Sequence, residues 1–261
     1  MRRLTRLTLA GLALALLAGC SAHVAEERAE AAVPPMLGDC RVLSVDDIAA
    51  PADDSPVVDC AEAHTAETFA IGTFPREVAA SGLGSPALGA HVYRQCEPRM
   101  EKFLGGDESL VMRSIVTWAW FRPAEEAWDA GARWWRCDAV GGGEQSEQLL
   151  ELPRTAKGIL LGRPDDRWMV CVDGPTVSGS AKVPCSAPHT WRAVTTIVLG
   201  KEGDAYPGDR IVEVRTRDFC SGSVGAWLNY PVDYDFGYTW FHEAEWKAGN
   251  RRSICWARTT G

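Results

Sequence analysis

The sequence predicts an α+β fold built from two tandem ββαββ-like repeats, each an antiparallel sheet with one packed helix, stapled by disulfides. Three duplicated features support this prediction. A Cys-x3-His-Thr unit occurs at residues 60–65 and again at 185–190. An apolar stripe at helical spacing surrounds Cys96 and recurs around Cys220. Each repeat then ends in a Trp-x2-Gly-x-Arg-x3-Cys pattern, and these matches at fixed offsets indicate a duplicated unit.

The N-terminal segment, residues 1–19, has the parts of an export signal. Three arginines precede an apolar run from Leu7 to Leu17, and small residues follow. That run is shorter than the about 20 residues a membrane-spanning helix needs. The ending Leu17-Ala18-Gly19-Cys20 resembles the lipobox of bacterial lipoproteins, which implies that Cys20 becomes a lipidated N-terminus. An ordinary cleaved signal with an incidental Cys is the alternative.

We therefore expect a protein anchored by lipid to the extracytoplasmic face of the cell membrane, because several acyl chains anchor stably. The formal net charge is −8, and loss of the three signal arginines takes it to −11. An acidic surface repels nucleic acid and anionic lipid, so we expect no nucleic-acid partner and membrane contact through the lipid alone.

The rest of the chain divides by composition. Residues 20–37 comprise Cys20 and an Ala- and Glu-rich stretch that we interpret as a flexible tether. The first repeat spans 38–140, a Gly-rich linker 141–166, and the second repeat 167–261. Part of the linker, 149–162, is ambiguous between a loop and a strand that joins the repeats.

Within the first repeat we expect a strand at 66–74, a helix through Cys96, and strands at 110–121 and 134–139. The second repeat gives the same order. Offsets −8, −4, +4, +7 and +8 from the helical Cys carry Leu88, Val92, Met100, Phe103 and Leu104 in the first repeat and Val212, Thr216, Val224, Trp227 and Leu228 in the second. This stripe should face the core, and Pro98 should kink or shift the first helix.

Cysteine use points to an oxidising compartment. Nine Cys minus Cys20 leave eight, four in each repeat, and an even count in an exported chain predicts disulfides. Bridges confined to one repeat allow three pairings in each. Both repeats keep two early and two late Cys, with the third on the helical stripe and the fourth in the last strand. This arrangement favours Cys40–Cys60, Cys96–Cys137, Cys171–Cys185 and Cys220–Cys255.

Each Cys-x3-His unit could supply half of a zinc site, since Cys and His at short spacing are zinc ligands. A site needs about four ligands, however, and the other Cys are better used as bridges. We therefore expect no metal and no cofactor. The simpler interpretation is that His64 and His189 hydrogen-bond the backbone of a bridged turn.

The eleven Trp residues raise the alternative of a glycan-binding or wall-modifying module with exposed aromatic platforms. Against it, Trp120, Trp128, Trp240 and Trp246 repeat with the fold, as core positions do. The patterns G-x-S-x-G and S-x-x-K and a phosphate-binding loop are absent from the sequence, so we expect no enzyme and assign no catalytic residue.

The lipobox, the Cys-x3-His-Thr units and the Trp-x2-Gly-x-Arg-x3-Cys endings together resemble the septum formation-related domain family, from about Gly38 to Trp256. The resemblance implies an exported, often membrane-attached protein of high-GC Gram-positive bacteria, and it carries over no catalytic residue. The resulting hypothesis is a non-enzymatic envelope lipoprotein that binds or scaffolds a division protein, or a cell-wall polymer, during septum formation or wall growth.

Overall fold

The computed structural model describes residues 34–259, which form two five-stranded antiparallel sheets joined by a packed linker. The predicted signal peptide and the predicted lipidation site Cys20 lie outside the described residues. We call residues 38–140 the first half and 167–259 the second half. No helix in the described part of the chain is long and apolar enough to cross a membrane.

The first half contains, in chain order, β1 (Cys40–Arg41), α1 (Val45–Ala49), β2 (Val57–Val58), β3 (Ala66–Thr73), α2 (Arg76–Ala79), α3 (Pro86–Leu104), α4 (Glu108–Met112), β4 (Thr117–Phe121), α5 (Glu125–Asp129) and β5 (Trp134–Val140). The second half contains a 3-10 turn (Asp166–Trp168), β6 (Val170–Asp173), β7 (Ala181–Pro184), β8 (Trp191–Val198), α6 (Asp209–Trp227), β9 (Phe236–Thr239), α7 (Glu243–Ala248) and β10 (Arg252–Arg258). The sheet orders are β2-β1-β3-β5-β4 and β7-β6-β8-β10-β9, so the two halves share one topology.

The predicted α+β class and the tandem arrangement of two antiparallel sheets are confirmed. Each sheet has five strands where four were expected, because the short pairs β1–β2 and β6–β7 contribute an extra strand. The expected strand at 110–121 is wrong in its first part. Residues Glu108–Met112 form α4, which Asp107 caps by accepting a hydrogen bond from the Leu110 backbone N–H at 2.8 Å.

The two long helices form where their apolar stripes predict them. Ser85 caps α3 with Pro86 in its first turn, and Gly105 ends it in the left-handed conformation at φ 79°. Pro98 lies within this helix. The predicted stripe is buried at Leu88, Val92, Cys96, Met100 and Leu104 in α3, and at Val212, Thr216, Cys220 and Val224 in α6. Phe103 and Leu228 are only partly buried, and the prediction is wrong at Trp227, which is exposed at the end of α6.

A β-bulge stands at the same place in both halves. Phe69 lies unpaired between Thr68 and Ala70 opposite β5, and Val194 is the corresponding extra residue opposite β10. Each bulged residue comes five positions after the His of the Cys-x3-His-Thr unit. Because a bulge bends and twists its strand locally, its recurrence shows that the duplicated halves keep the same sheet curvature.

Each half contains two disulfides. The four bridges join the same cysteine pairs that the sequence favours. Within the first half they are Cys40–Cys60 and Cys96–Cys137, and within the second Cys171–Cys185 and Cys220–Cys255. In each half one bridge ties the first strand to the turn before the third strand. The other ties the long helix to the last strand.

The linker 141–166 packs between the halves, and its ambiguous part, 149–162, is a loop with turns. Leu152, Ala156 and Leu160 are buried in the largest apolar cluster, which includes side chains from both halves. The Glu67 carboxylate of β3 accepts hydrogen bonds from the Thr155 hydroxyl at 2.9 Å and the Ala156 backbone N–H at 2.7 Å. The linker is therefore part of the core between the halves, which we call the seam.

A candidate binding site at the seam

The Cys-x3-His-Thr units are bridged turns in both halves. The His64 Nδ1–H donates to the Glu62 carbonyl at 2.8 Å, and the His189 Nδ1–H donates to the Ala187 carbonyl at the same distance. The Thr65 hydroxyl donates to the Leu43 carbonyl at 2.8 Å and accepts from the Leu43 N–H at 2.7 Å. Each unit therefore closes its turn onto the neighbouring backbone.

This geometry leaves the units little capacity to bind a metal. Both Cys60 and Cys185 are consumed in disulfides, and Nδ1 of each His is turned toward a carbonyl of its own chain. Within residues 34–259, no group of three or more His, Cys, Asp or Glu side chains is placed to hold a metal ion.

The Trp-x2-Gly-x-Arg-x3-Cys endings also have a structural explanation. The Arg133 guanidinium lies 4.0 Å from the ring centre of Trp128, and Arg251 lies 4.5 Å from that of Trp246. Both indoles are buried. The spacing of five residues thus places a cation on the face of an aromatic ring after the short helix α5 or α7. The motif is visible in the sequence, whereas this stacking is visible only in the structure.

All eleven Trp residues lie in the described part of the chain, and among them only Trp227 is exposed, at 49%. Trp128 and Trp246 are core positions as predicted, whereas Trp120 and Trp240 are only partly buried. One exposed indole at the end of α6 is a small platform compared with the several that the glycan hypothesis requires.

A cavity of about 390 Å³ opens at the seam. Side chains of both halves and of the linker line it: Val111, Met112, Ser114, Ile115, Val116, Thr117 and Trp118 from the first half, Gly143, Glu144 and Gln145 from the linker, and Val170, Lys182, Ile254 and Trp256 from the second. The two halves meet here through an isolated β-bridge between Ser114 and Met169. Interfaces between folding units commonly form such ligand sites.

Among the described residues that line the cavity, Lys182 is the single basic residue. It is partly buried, and burial lowers the pKa of its ammonium group. Its backbone N–H donates to the Gln145 carbonyl at 3.0 Å, which fixes β7 against the linker. Glu144, the acidic residue of the lining, is exposed. Between residues 34 and 259, no carboxylate oxygen lies within 4 Å of the Lys182 nitrogen.

Sequence reasoning missed this site because its walls come from residues more than 100 positions apart. One signal was present in the duplicated stretch. Lys182 stands where the first copy has Val57, so a charge replaces an apolar residue at the same offset from the Cys. In the first half that position is exposed, whereas in the second it faces the cavity.

A second groove between the halves is a contact region rather than a site. The Tyr93 hydroxyl donates to the Glu97 carboxylate at 2.6 Å, and burial raises the pKa of Glu97. Nearby, Glu108 of α4 pairs with Arg252 of β10 at 2.5 Å. The Glu108–Arg252 pair therefore crosses the seam, whereas the Tyr93–Glu97 hydrogen bond lies within α3.

Comparison with known proteins gives one match. No curated protein and no solved structure matches the chain. The model of the Septum formation family matches residues 37–256, which include the first half, the second half as far as Trp256, all four disulfides and the lining of the seam cavity. The sequence resemblance to this family is thereby confirmed over nearly all of the described chain. The chain belongs to the Septum formation family.

Proposed function

We propose that the protein is a non-enzymatic, lipid-anchored binding protein that acts in septum formation at the outer face of the cell membrane. Membership of the Septum formation family indicates a role in septum formation or cell division. The lipobox ending in Cys20 and the four disulfides support the anchor and the compartment, because disulfides persist in oxidising surroundings outside the cytoplasm.

The observation that carries the binding role is the seam cavity. Both halves and the linker build it, so a bound ligand would contact all three parts at once. Its lining offers one ammonium group and one exposed carboxylate, without a His or Cys among the described lining residues. General acid–base catalysis needs two titratable groups within reach of one reacting atom. The Lys182 nitrogen and the Glu144 carboxylate are not within 4 Å of each other, so this lining supports binding rather than catalysis.

The test is complementation of a strain that lacks the gene. The strain receives the wild-type protein, Cys20→Ser, which removes the acyl acceptor, or Met112→Trp, which fills the cavity. Leu161→Trp is the matched control because Leu161 is exposed and lies outside the cavity lining. Septum frequency is counted by membrane-dye microscopy, and thermal unfolding confirms that each variant folds.

We expect the wild type and Leu161→Trp to restore septation, and Met112→Trp to fold but fail. Cys20→Ser should leave the membrane fraction and lose activity in division. Normal septation in the strain without the gene would remove the division role. Full activity of Met112→Trp would remove the seam cavity from the proposal.

The glycan alternative depends on Trp227, which is followed by exposed Tyr230. Titration with peptidoglycan fragments tests it. Quenching that disappears in Trp227→Ala would favour that function, whereas no binding would exclude it.

A further inference from the structure

We infer that the seam cavity binds an amphiphile with one anionic head group, whose apolar part occupies the cavity and whose head group pairs with Lys182. This inference names the ligand class for the binding role proposed above and rests on that role. Three features support it: the apolar walls, the single cation, and the charge of the surrounding protein.

The cavity walls favour hydrocarbon. The lining includes the apolar side chains of Val111, Ile115, Val116, Val170 and Trp256, of which the last four are buried in the seam core. A volume of about 390 Å³ falls within the roughly 300–1,000 Å³ of ligand pockets. Each methylene that moves from water into such surroundings should raise affinity about fourfold.

Lys182 supplies a positive charge, which an anionic head group can bind and a purely apolar ligand cannot. Lys182 is partly buried, and partial burial of an ammonium group without a partner is unfavourable. Here the nitrogen has no carboxylate within 4 Å among the described residues. A ligand carboxylate or phosphate would satisfy it with a charge-assisted hydrogen bond.

The surroundings limit how much negative charge the ligand carries. Glu144 stands in the lining, and Glu147 borders an adjoining groove that Lys182 also lines. The protein as a whole has a formal charge of −8. A polyanion would be repelled by this field, whereas one head group is compensated by one lysine. The cavity therefore selects a single anionic group on an apolar chain.

The first experiment uses purified full chain carrying Cys20→Ser, so that the protein's own acyl group is absent. Dodecanoate, dodecyl phosphate, dodecanol and dodecyltrimethylammonium are titrated below their micelle concentrations. Fluorescence is followed because Trp118 and Trp256 line the cavity. We expect the two anions to bind about tenfold or more tightly than the alcohol, and the cation to bind most weakly.

The relative affinities of dodecanoate and dodecyl phosphate then distinguish a carboxylate ligand from a phosphate ligand, and tight binding of either supports the inference. Octanoate and decanoate test the apolar part, since affinity should fall about fourfold for each methylene removed. Equal binding of alcohol and anion, or no binding of any probe, would overturn the inference.

Variants of Lys182 test whether the ligand's head group pairs with this residue. Lys182→Met keeps the length of the side chain and removes its charge, and Lys157→Met is the control because Lys157 is exposed and lies outside the lining. Lys182→Met should weaken both anions about tenfold and leave dodecanol unchanged. Its melting temperature without ligand should equal or exceed that of the wild type, because an unpaired ammonium is removed.

Undiminished anion binding by Lys182→Met would overturn the inference. Failure of the inference and failure of the proposed function are distinguishable. If all four probes fail to bind while Met112→Trp still abolishes septation, the binding role stands and the ligand class is wrong. If the anions bind to the wild type but Met112→Trp supports division, the ligand site is real and the protein does not need it for its role in division.

Discussion

The two halves have the same topology, but corresponding faces of their sheets differ in polarity. One position before and one after the last Cys, β5 carries Arg136 and Asp138, whereas β10 carries Ile254 and Trp256. These side chains point away from the long helix, because the Cys between them bonds to that helix. The same strand position is charged in one half and apolar in the other.

In the first half this face holds a buried ion-pair network. Arg136 pairs with Asp53 and with Asp138, the latter at 2.9 Å. The Thr68 hydroxyl donates to Asp138 at 2.7 Å, and Arg41 donates to Thr68 at 3.0 Å. Asp53 comes from the segment between β2 and α1, so a loop of the same half closes this face and satisfies its charges.

In the second half the equivalent face packs against the first half. Val172 and Ala193 stand at the offsets of Arg41 and Thr68, and both are buried in the seam core with Trp256. That core also contains Leu104 from α3 and Leu160 from the linker, and Ile254 packs against it. An apolar neighbour leaves no partner for a charge, so this face is apolar.

The helix-facing side shows the reverse difference. In the first half, Trp135 lies over Gly72 and packs with Val92. In the second half, the Thr216 hydroxyl of α6 donates to the Ser253 hydroxyl at 2.9 Å. The two halves therefore share their disulfides and β-bulges. The polarity of each sheet face, by contrast, matches the loop, helix or neighbouring half that packs on it.

The largest expected effect comes from breaking the charge network. Arg136→Met removes the shared cation and leaves Asp53 and Asp138 buried without it, which should lower the free energy of unfolding by about 3–5 kcal/mol. Burial already raises the pKa of Asp138, against the opposing influence of Arg136 and the Thr68 hydroxyl. Urea unfolding of the oxidised protein measures the loss.

Two controls accompany this variant. Its deficit should shrink toward acidic pH, because burial raises the folded pKa of Asp138 above its unfolded value and so favours the protonated carboxyl group in the folded state. That stabilising contribution is complete below the unfolded pKa and is lost as pH rises through the folded pKa. Adding Asp53→Ala and Asp138→Leu to Arg136→Met should recover most of the stability. A triple variant no more stable than Arg136→Met would show that the loss does not come from the two carboxylates left without their cation.

The helix ends provide the second test. Leu104 of α3 is fully buried in the seam core, whereas the corresponding Leu228 after α6 is only partly buried. Leu104→Ala should cost about 2–5 kcal/mol, because it removes buried contacts and leaves a cavity. Leu228→Ala, the matched control, should cost less. Equal losses in denaturant unfolding would contradict the assignment of the seam to one side of the duplication.

Local and repeated features were accessible from the sequence. The stripe on α3, the turn at His64 and the four disulfide pairs depend on spacing within about 40 residues, and duplication displayed each of them twice. By contrast, α4 was predicted as strand because Leu110-Val111-Met112 is a short apolar run, for which helix and strand patterns are alike. The N-cap Asp107 was the signal that would have separated them.

The candidate site could not be predicted in the same way. Lys182 carries no functional signal of its own in the sequence, since nothing near it in sequence shows what covers it. Its surroundings depend on how one half packs on the other, which brings Val116 and Trp256 into one cavity. The network around Arg136 escaped prediction for the same reason, because Asp53 is 83 positions away.

A third test exploits the close packing of Gly72. A Cβ added there would lie 2.2 Å from the Trp135 indole, so Gly72→Ala should cost about 1–3 kcal/mol through overpacking. In the second half Ile197 pairs with Ser253 at the equivalent positions. The double variant Gly72→Ala, Trp135→Leu should lose less stability than the sum of its two single variants. Strict additivity in urea unfolding would show that the two positions do not compete for space.

The smallest effect is expected at the buried hydroxyl pair. Thr216→Val gives α6 the residue that α3 has at Val92, and it removes the donor to Ser253, which is itself fully buried. The loss should be about 1 kcal/mol, because Ser253 then lacks its hydrogen-bond partner. The double variant Thr216→Val, Ser253→Ala removes both hydroxyl groups and should return close to wild-type stability. The contrary result would be a double variant whose loss of stability equals the sum of the two single losses. Side-chain packing rather than the hydrogen bond would then determine stability at this position, and apolar residues like those of the first half would not be accommodated on the helix-facing side of the second.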